Sequence, residues 1–275
     1  MDFRFILLRY GEIFLKGQNK GFFERKLRDN IQILSGVKKI KDVRGRLIID
    51  YFPEHNQLKK VFGLVSYSPA IKVNADFEEI KKASLELLKE KTGTFKIEPK
   101  RSDKRFPITS PEINIQLGRF IEANTRLKFD GQHPDHILGV EINQDGAYLF
   151  SEIVYCHGGL PTGVEGRVGA LIENDADVLA ALLFMKRGCD IFPFGFKTQN
   201  IELLQKFSPM KMELKLIKDY AELNQVIQAE KIQAIVSGQN FGHYKKYVFN
   251  EIVLRPLIAY SEEEIKKWLE IYDEN

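Results

Sequence analysis

Three carboxylates fall within five residues at Glu173, Asp175 and Asp177, with Asn174 between the first two. They follow a strand pattern at Val168 to Ile172. A helical pattern from about Asp177 follows and ends in Lys186-Arg187-Gly188, with cations in the last turn and a glycine just beyond. Such a group has two readings. It can ligate Mg²⁺ through its oxygens, or it can be a solvated loop whose acids favour a helix N-terminus. A second group has the opposite sign. Lys100, Arg101, Lys104 and Arg105 form two doublets around Ser102-Asp103, and Phe106 follows at once. They sit where a strand pattern ends and a loop leads to a helix start. There Ser110 is the expected N-cap and Pro111 the first helical residue. Cations in that setting make a phosphate-reading surface, the alternative being a solvated face.

Three segments carry these groups. Residues 1–62 alternate a strand (Phe3 to Tyr10), a helix striped by Phe23, Leu27, Ile31 and Leu34, a strand (Arg46 to Tyr51) and a short helix (Asn56 to Phe62). That order predicts a small α+β sandwich of the ferredoxin-like kind. Residues 63–157 read as a strand at Ile71 to Val73, a helix from Phe77 to Leu88 and a strand at Thr94 to Glu98. A helix with Ile113, Leu117, Phe120 and Ile121 on its apolar face follows. Two antiparallel strands then turn at Asn143-Gln144-Asp145-Gly146. Residues 158–275 begin with the glycine-rich hinge Gly158-Gly159-Leu160-Pro161-Thr162-Gly163. Strands at Val168 to Ile172, Asp190 to Phe196, Glu213 to Ile217 and Gln233 to Val236 then alternate with helices. The last helix opens on a capping box at Ser261 to Glu264 and buries Ile265, Trp268 and Leu269. This alternation predicts a mainly parallel, doubly wound sheet. The whole reads as a multidomain α/β and α+β chain.

Composition narrows the class. The 275 residues are 44% hydrophobic, with 41 Lys and Arg against 38 Asp and Glu. The excess is uneven: residues 1–160 hold 27 cations and 21 acids, and residues 161–275 hold 14 and 17. A basic front half points to an anionic partner. No apolar run reaches the roughly 20 residues of a membrane span. Met1 to Arg9 reads as a first strand rather than a signal peptide, so a cytoplasmic location is expected. Cys156 and Cys189 form neither a CxxC nor a disulfide framework and are expected to be reduced. Cys156 next to His157 would be an activated thiol only if both faced one side, and neighbours on a strand do not. His133-Pro134-Asp135-His136 is turn chemistry without further ligands, so no metal site is expected.

Several runs resemble the ThiI family, the tRNA 4-thiouridine sulfurtransferases also linked to thiamine biosynthesis. Leu8-Arg9-Tyr10-Gly11-Glu12-Ile13-Phe14-Leu15-Lys16-Gly17 is similar to the family's opening. Lys100 to Pro107 and Asp145-Gly146-Ala147-Tyr148-Leu149 resemble its THUMP domain. Gly158 to Gly163, Met185-Lys186-Arg187-Gly188 and Leu254-Arg255-Pro256-Leu257-Ile258 resemble landmarks of its ATP-pyrophosphatase domain. The resemblance implies three parts: a ferredoxin-like domain over 1–62, an RNA-binding THUMP domain over 63–157, and a Rossmann-like PP-loop domain of the adenine nucleotide alpha hydrolase kind over 158–275.

The pattern breaks in the third part. Where the family shows Ser-Gly-Gly-x-Asp-Ser, this chain has Glu173-Asn174-Asp175-Ala176-Asp177-Val178, without the glycines and serines that cradle phosphate. The three carboxylates are expected to face the place of pyrophosphate. Ser237-Gly238-Gln239-Asn240 resembles a second nucleotide motif, with Gln239 where an acid is usual. Met210 to Gln233 holds no cysteine to carry sulfur. A truncated domain without a rhodanese-like extension is expected, because the sequence ends at Asn275.

The reading that follows is a tRNA-binding member of this family with an inactive ATP-pyrophosphatase domain, and no catalytic residue is assigned. Lys100, Arg101, Lys104 and Arg105 are the expected phosphate contacts, joined by Arg9 and Lys16. Glu173, Asn174, Asp175, Asp177, Ser237 and Gly238 mark a degenerate nucleotide site, where ATP-Mg binds only if the altered loop is competent. No other cofactor is expected. Tyr244, Lys245, Lys246 and Tyr247 offer a further RNA edge. Expected partners are tRNA, a second copy of the chain, and an active thiolation enzyme or sulfur donor, with no membrane. Two alternatives stay open: an active ATP-dependent sulfurtransferase with a rearranged site, and a docking or regulatory module without RNA.

Overall fold

The computed structural model describes residues 3–43, 45–247 and 249–274. β1 (Phe5–Tyr10) leads through a 3-10 turn (Glu12–Asn19) into α1 (Lys20–Ser35). β2 (Lys41–Asp42), β3 (Leu47–Asp50) and a second 3-10 turn (His55–Lys60) precede β4 (Leu64–Val73). Then come α2 (Phe77–Leu88), β5 (Thr94–Arg101), α3 (Ser110–Asn124), β6 (Lys128–Phe129), β7 (His136–Asn143), β8 (Gly146–Phe150) and β9 (Val154–Tyr155). The last part holds β10 (Arg167–Leu171), α4 (Asp175–Lys186), β11 (Asp190–Gly195), α5 (Glu202–Phe207), β12 (Lys215–Leu216), α6 (Tyr220–Ala229), β13 (Ile235–Val236), β14 (Val253–Leu254) and α7 (Glu262–Asp273).

The chain packs as two compact units. One gathers Met1–Tyr10, Val37–His55 and Ser66–Tyr155. Its strands run in the order β2-β3-β1-β4-β8-β7-β5-β6, with β9 also beside β4. The apolar faces of α2 (Ile80, Leu87, Leu88) and α3 (Ile113, Leu117, Ile121) close over Phe95, Ile97, Leu138, Val140 and Ile142 from β5 and β7. β4 is longer than the sequence pattern predicted. It pairs with β9 along Ser66 and Tyr67 and with β8 along Ile71 to Val73, so Pro69, which lacks an N–H, falls between the two pairings. The cap of α3 is Thr109 rather than Ser110. Thr109 and Glu112 form a reciprocal capping box, and the helix starts at Ser110, one residue earlier than the N-cap reading had it. β5 runs on through Lys100 and Arg101, which therefore stand on a strand paired to β7.

The other unit gathers Gly11–Gly36, Asn56–Val65 and Cys156–Asn275. Its sheet has the order β12-β11-β10-β13-β14, and every pairing is parallel. α4 is apolar around most of its circumference: Val178, Leu179, Ala180, Ala181, Leu182 and Met185 are all buried. A helix without a polar face belongs inside a core. From β10 the chain runs outward through β11 and β12, then returns to place β13 on the other side. The loops after β10 and β13 thus meet at the switch point, where doubly wound sheets open a ligand crevice. α7 is capped by Ser261 and Glu264 as expected, but its buried residues are Ile265 and Tyr272; Trp268 and Leu269 are half-buried. α4 begins at Asp175, two residues before the position read from the sequence.

Candidate functional site

The loop from β10 to α4 is organised by its own side chains. Asn174 is extended and caps the helix: its Oδ1 accepts the N–H of Ala176 at 2.9 Å and that of Asp177 at 3.4 Å. Asp177, three residues on, folds back. Its Oδ2 accepts the N–H of Glu173 at 3.0 Å and of Asn174 at 3.1 Å. Its Oδ1 accepts the N–H of Gly238 at 2.6 Å and the Ser237 hydroxyl at 3.3 Å. The carboxyl is only 3% exposed. Burial pushes it above the usual carboxylate range, and the amides of Gly238, Glu173 and Asn174 pull it partly back.

This corrects the expectation that three carboxylates face a bound pyrophosphate. Asp177 points inward, because it occupies the third position after an N-cap and completes a capping box. Glu173 and Asp175 remain exposed. The Tyr247 hydroxyl donates to Glu173 Oε2 at 2.8 Å, and Gln199 Nε2 donates to the Glu173 carbonyl at 2.9 Å. Ser237 is fully buried. A Cβ on Gly238 would overlap the Ala176 carbonyl and the Asp177 nitrogen, so only glycine fits there.

Beside this loop lies a cleft of about 830 Å³ lined by Asp175, Asn240, Tyr244, Lys245, Glu262 and Lys266, among others. Gln239, in the place of the family's acid, accepts Arg255 Nε at 3.0 Å. The Arg255 guanidinium lies 5.0 Å from the Tyr244 ring centre and 6.0 Å from that of Tyr247.

The cations sort into different jobs. Lys100 and Lys104 are exposed, and among the described residues neither has a carboxylate at ion-pair distance. Arg101 is half-buried and donates to the carbonyls of Phe106 at 2.7 Å and Ile108 at 3.2 Å, which pins the loop that carries Lys104. Arg105 is exposed and bonded to Asp103 at 2.7 Å, which raises its pKa. Arg9 is 12% exposed. It reaches Glu141 at 3.3 Å and the Ser68 hydroxyl at 3.0 Å, and lies over the Phe150 ring. Burial lowers its pKa, and Glu141 works to keep it charged. Arg46, unmarked in the sequence reading, meets the same Glu141 at 2.8 Å. Lys16 stands 3.4 Å from Glu165 and over the Phe23 ring at 4.6 Å.

Both cysteines are free thiols, and burial pushes Cys156 up to about 12. His157 stacks on Tyr272 at 4.5 Å rather than activating Cys156. Among the described residues no group of three His, Cys, Asp or Glu is arranged to hold a metal, and no helix is long and apolar enough to cross a membrane.

Against known proteins, the ThiI ferredoxin-like domain family matches residues 5–68 and the THUMP domain family residues 74–152. A probable tRNA sulfurtransferase of Moorella thermoacetica is 33% identical, over 94% of this chain and 81% of its own length. One from Natranaerobius thermophilus is 30% identical over 96% and 81%. One from Mycoplasmopsis synoviae is 38% identical, but over 70% of this chain and 52% of its own length. The crystal structure of PH1313 from Pyrococcus horikoshii Ot3 superposes with a TM-score of 0.86 at 28% identity, covering 98% of this chain and 99% of that one. A 4-thiouridine synthetase–RNA complex with bound ATP superposes with a TM-score of 0.82 at 28% identity, covering 98% and 85%.

Proposed function

We propose, from the fact that this chain belongs to the ThiI family of tRNA sulfurtransferases, that it binds tRNA and does not run ATP-dependent chemistry at the loop after β10. One observation carries the second half: the Asp177 carboxylate takes the N–H groups of Glu173, Asn174 and Gly238. A phosphate cradle works because such amides are free to point at the ligand. Here the chain supplies its own anion. Glu173 and Asp175 add repulsion of about 1 kcal/mol in water, and about 4 kcal/mol at a protein surface, for each phosphate charge brought within ~4 Å. The residues present therefore do not fit a triphosphate with its metal, and no step is routed through one.

Exposed Lys100, near the end of β5, and Lys104, on the loop stiffened by Arg101, support the RNA-binding half. Phosphate contacts of this kind set position and carry little sequence information, so recognition rests on RNA shape and weakens with salt. In this reading the protein works in the cytoplasm, in or beside 4-thiouridine formation. An active thiolation enzyme or sulfur donor supplies the chemistry.

The enzymatic alternative has one observation in its favour, the cleft at the switch point of the parallel sheet. Calorimetric titration with ATP-Mg²⁺, then with total tRNA at two salt concentrations, decides between them. Salt-sensitive tRNA binding without heat from ATP is the expected result. Micromolar ATP binding would return the protein to the enzymes.

A further inference from the structure

The unit that holds α2 and α3 has a cleft of its own, about 840 Å³, between the C-terminal ends of these two helices. α3 returns the chain from the end of β5 to the start of β6, which is parallel to β5, so the cleft lies where β5 begins. Thr92, just before β5, lines it. Lys100 stands on the same strand, about 20 Å from Thr94 at ~3.3 Å per residue. Lys82, Leu85, Glu86 and Lys89 recur at spacings of three and four and form one stripe of α2 along the cleft. Lys91 and Arg126 add two more cations. All four cations are exposed, and among the described residues none has a carboxylate at ion-pair distance. Cations near a helix C-terminus usually answer its free carbonyls. Here Asn124 Nδ2 and Thr125 Oγ1 donate to the carbonyls of Phe120 and Ile121 at 2.8 and 2.9 Å, and the Lys91 N–H donates to that of Leu88 at 2.9 Å. These bonds close the helix ends with groups other than the four charged side chains.

Two acids share the cleft: Glu86, between Lys82 and Lys89 on the stripe, and Glu90 beside Lys89. They decide the class of ligand. A nucleic-acid backbone carries a negative charge at every step and is repelled at both. A peptide is not bound to one charge. It can set carboxylates against the cations and backbone N–H groups against Glu86 and Glu90. It can also lay an apolar side chain on Leu85, which is half-buried and packed against the core of the unit. We propose that this cleft docks an acidic peptide segment of a partner protein, with its carboxylates on Lys82, Lys89, Lys91 and Arg126. The partner is held at the far end of β5 from Lys100 and leaves the basic loop open. The docking does not depend on the RNA-binding reading.

The test uses the full chain and a fluorescein-labelled peptide, Glu-Asp-Leu-Glu-Glu-Leu-Asp-Glu, read by anisotropy. A neutral counterpart carries Gln and Asn in the acidic places. The expected result is that the acidic peptide binds about tenfold more tightly than the neutral one, or better, and that added salt erodes the difference. Lys82→Glu/Lys89→Glu should lose this preference and instead take up a peptide with lysine in the acidic places. Lys100→Ala/Lys104→Ala should bind the acidic peptide like the parent. Circular dichroism melts confirm that each variant is folded. Equal affinity for the acidic and neutral peptides overturns the proposal, as does undiminished acidic-peptide binding by the folded charge-reversed variant. A loss in Lys100→Ala/Lys104→Ala as large as in the charge-reversed variant would put the peptide on the basic loop and also overturn it. A short uridine strand that displaces the peptide at equal concentration would make the occupant RNA, with the same consequence.

Discussion

The Asp177 carboxylate accepts the backbone N–H of Gly238 at 2.6 Å, across 61 positions of sequence. This bond ties the loop after β10 to the loop after β13, the two sides of the switch point. Replacing Asp177 with alanine leaves the N–H groups of Glu173, Asn174 and Gly238 without their acceptor. We expect a loss of about 2–4 kcal/mol, since each stranded donor costs on the order of 1 kcal/mol or more. Asp177→Asn, which keeps one acceptor oxygen, should lose about half as much. Urea denaturation reads both, and an unchanged midpoint for the alanine variant would contradict the assignment.

Lys100 and Lys104 should govern RNA affinity without affecting the fold. The double alanine variant is expected to bind tRNA about tenfold more weakly. The slope of log affinity against log salt should flatten by about 1.4–1.8, two phosphate contacts at ~0.7–0.9 each. Filter binding across a salt series measures this. A parallel shift with an unaltered slope would remove these lysines from the contact.

Arg9 should behave in the opposite way. Its guanidinium is committed to Glu141 and Ser68 inside its unit. Arg9→Ala strips one of two cations from a nearly buried carboxylate and should cost about 2–3 kcal/mol, at or below the usual range for a broken buried pair because Arg46 remains. Equilibrium unfolding tests stability, and tRNA titration of the folded variant should give nearly the parent affinity. Weakened tRNA binding with full stability would restore Arg9 to the interface.

His157 predicts an acid limb. Its Nε2 is buried without a partner among the described residues, and its ring stacks on Tyr272. Burial, with Lys186 and Lys59 nearby, lowers its pKa to about 4. The neutral ring is thus favoured in the folded state. The stability it brings is present above the unfolded value of about 6.5 and lost as pH falls from there towards 4. His157→Phe keeps an aromatic ring and removes the titration. Denaturation midpoints between pH 7 and 4 should fall less in this variant than in the parent. Parallel falls would assign the acid limb to other groups.

Much of this was legible because periodicity speaks for itself. The stripes at Phe77 to Leu88 and Ile113 to Ile121 became α2 and α3, and the turn at Asn143 to Gly146 joined β7 to β8. The missing glycines after β10 were plain as letters. What those letters do was not. Reading Asp177 as a helix start rather than a third helical position hid the fold-back that buries it. Arg9 and Arg101 read as free cations, because a sequence does not show which carboxylate or carbonyl will meet a guanidinium. Glu141 lies 132 positions from Arg9. β14, with two residues, is too short for alternation to register, whereas β12 lies within the strand read at Glu213 to Ile217.

β4 lies between β1 and β8, in a single sheet that runs through the segments matched by two different domain families. Its N-terminal half pairs with β9 and its C-terminal half with β8. A cut between the two families would strip one side of a strand that both need and bare a row of unpaired amides and carbonyls. The ferredoxin-like and THUMP parts are therefore not separable cassettes. They are expected to melt in one step, to be inherited together, and to aggregate if either is grafted alone onto another protein.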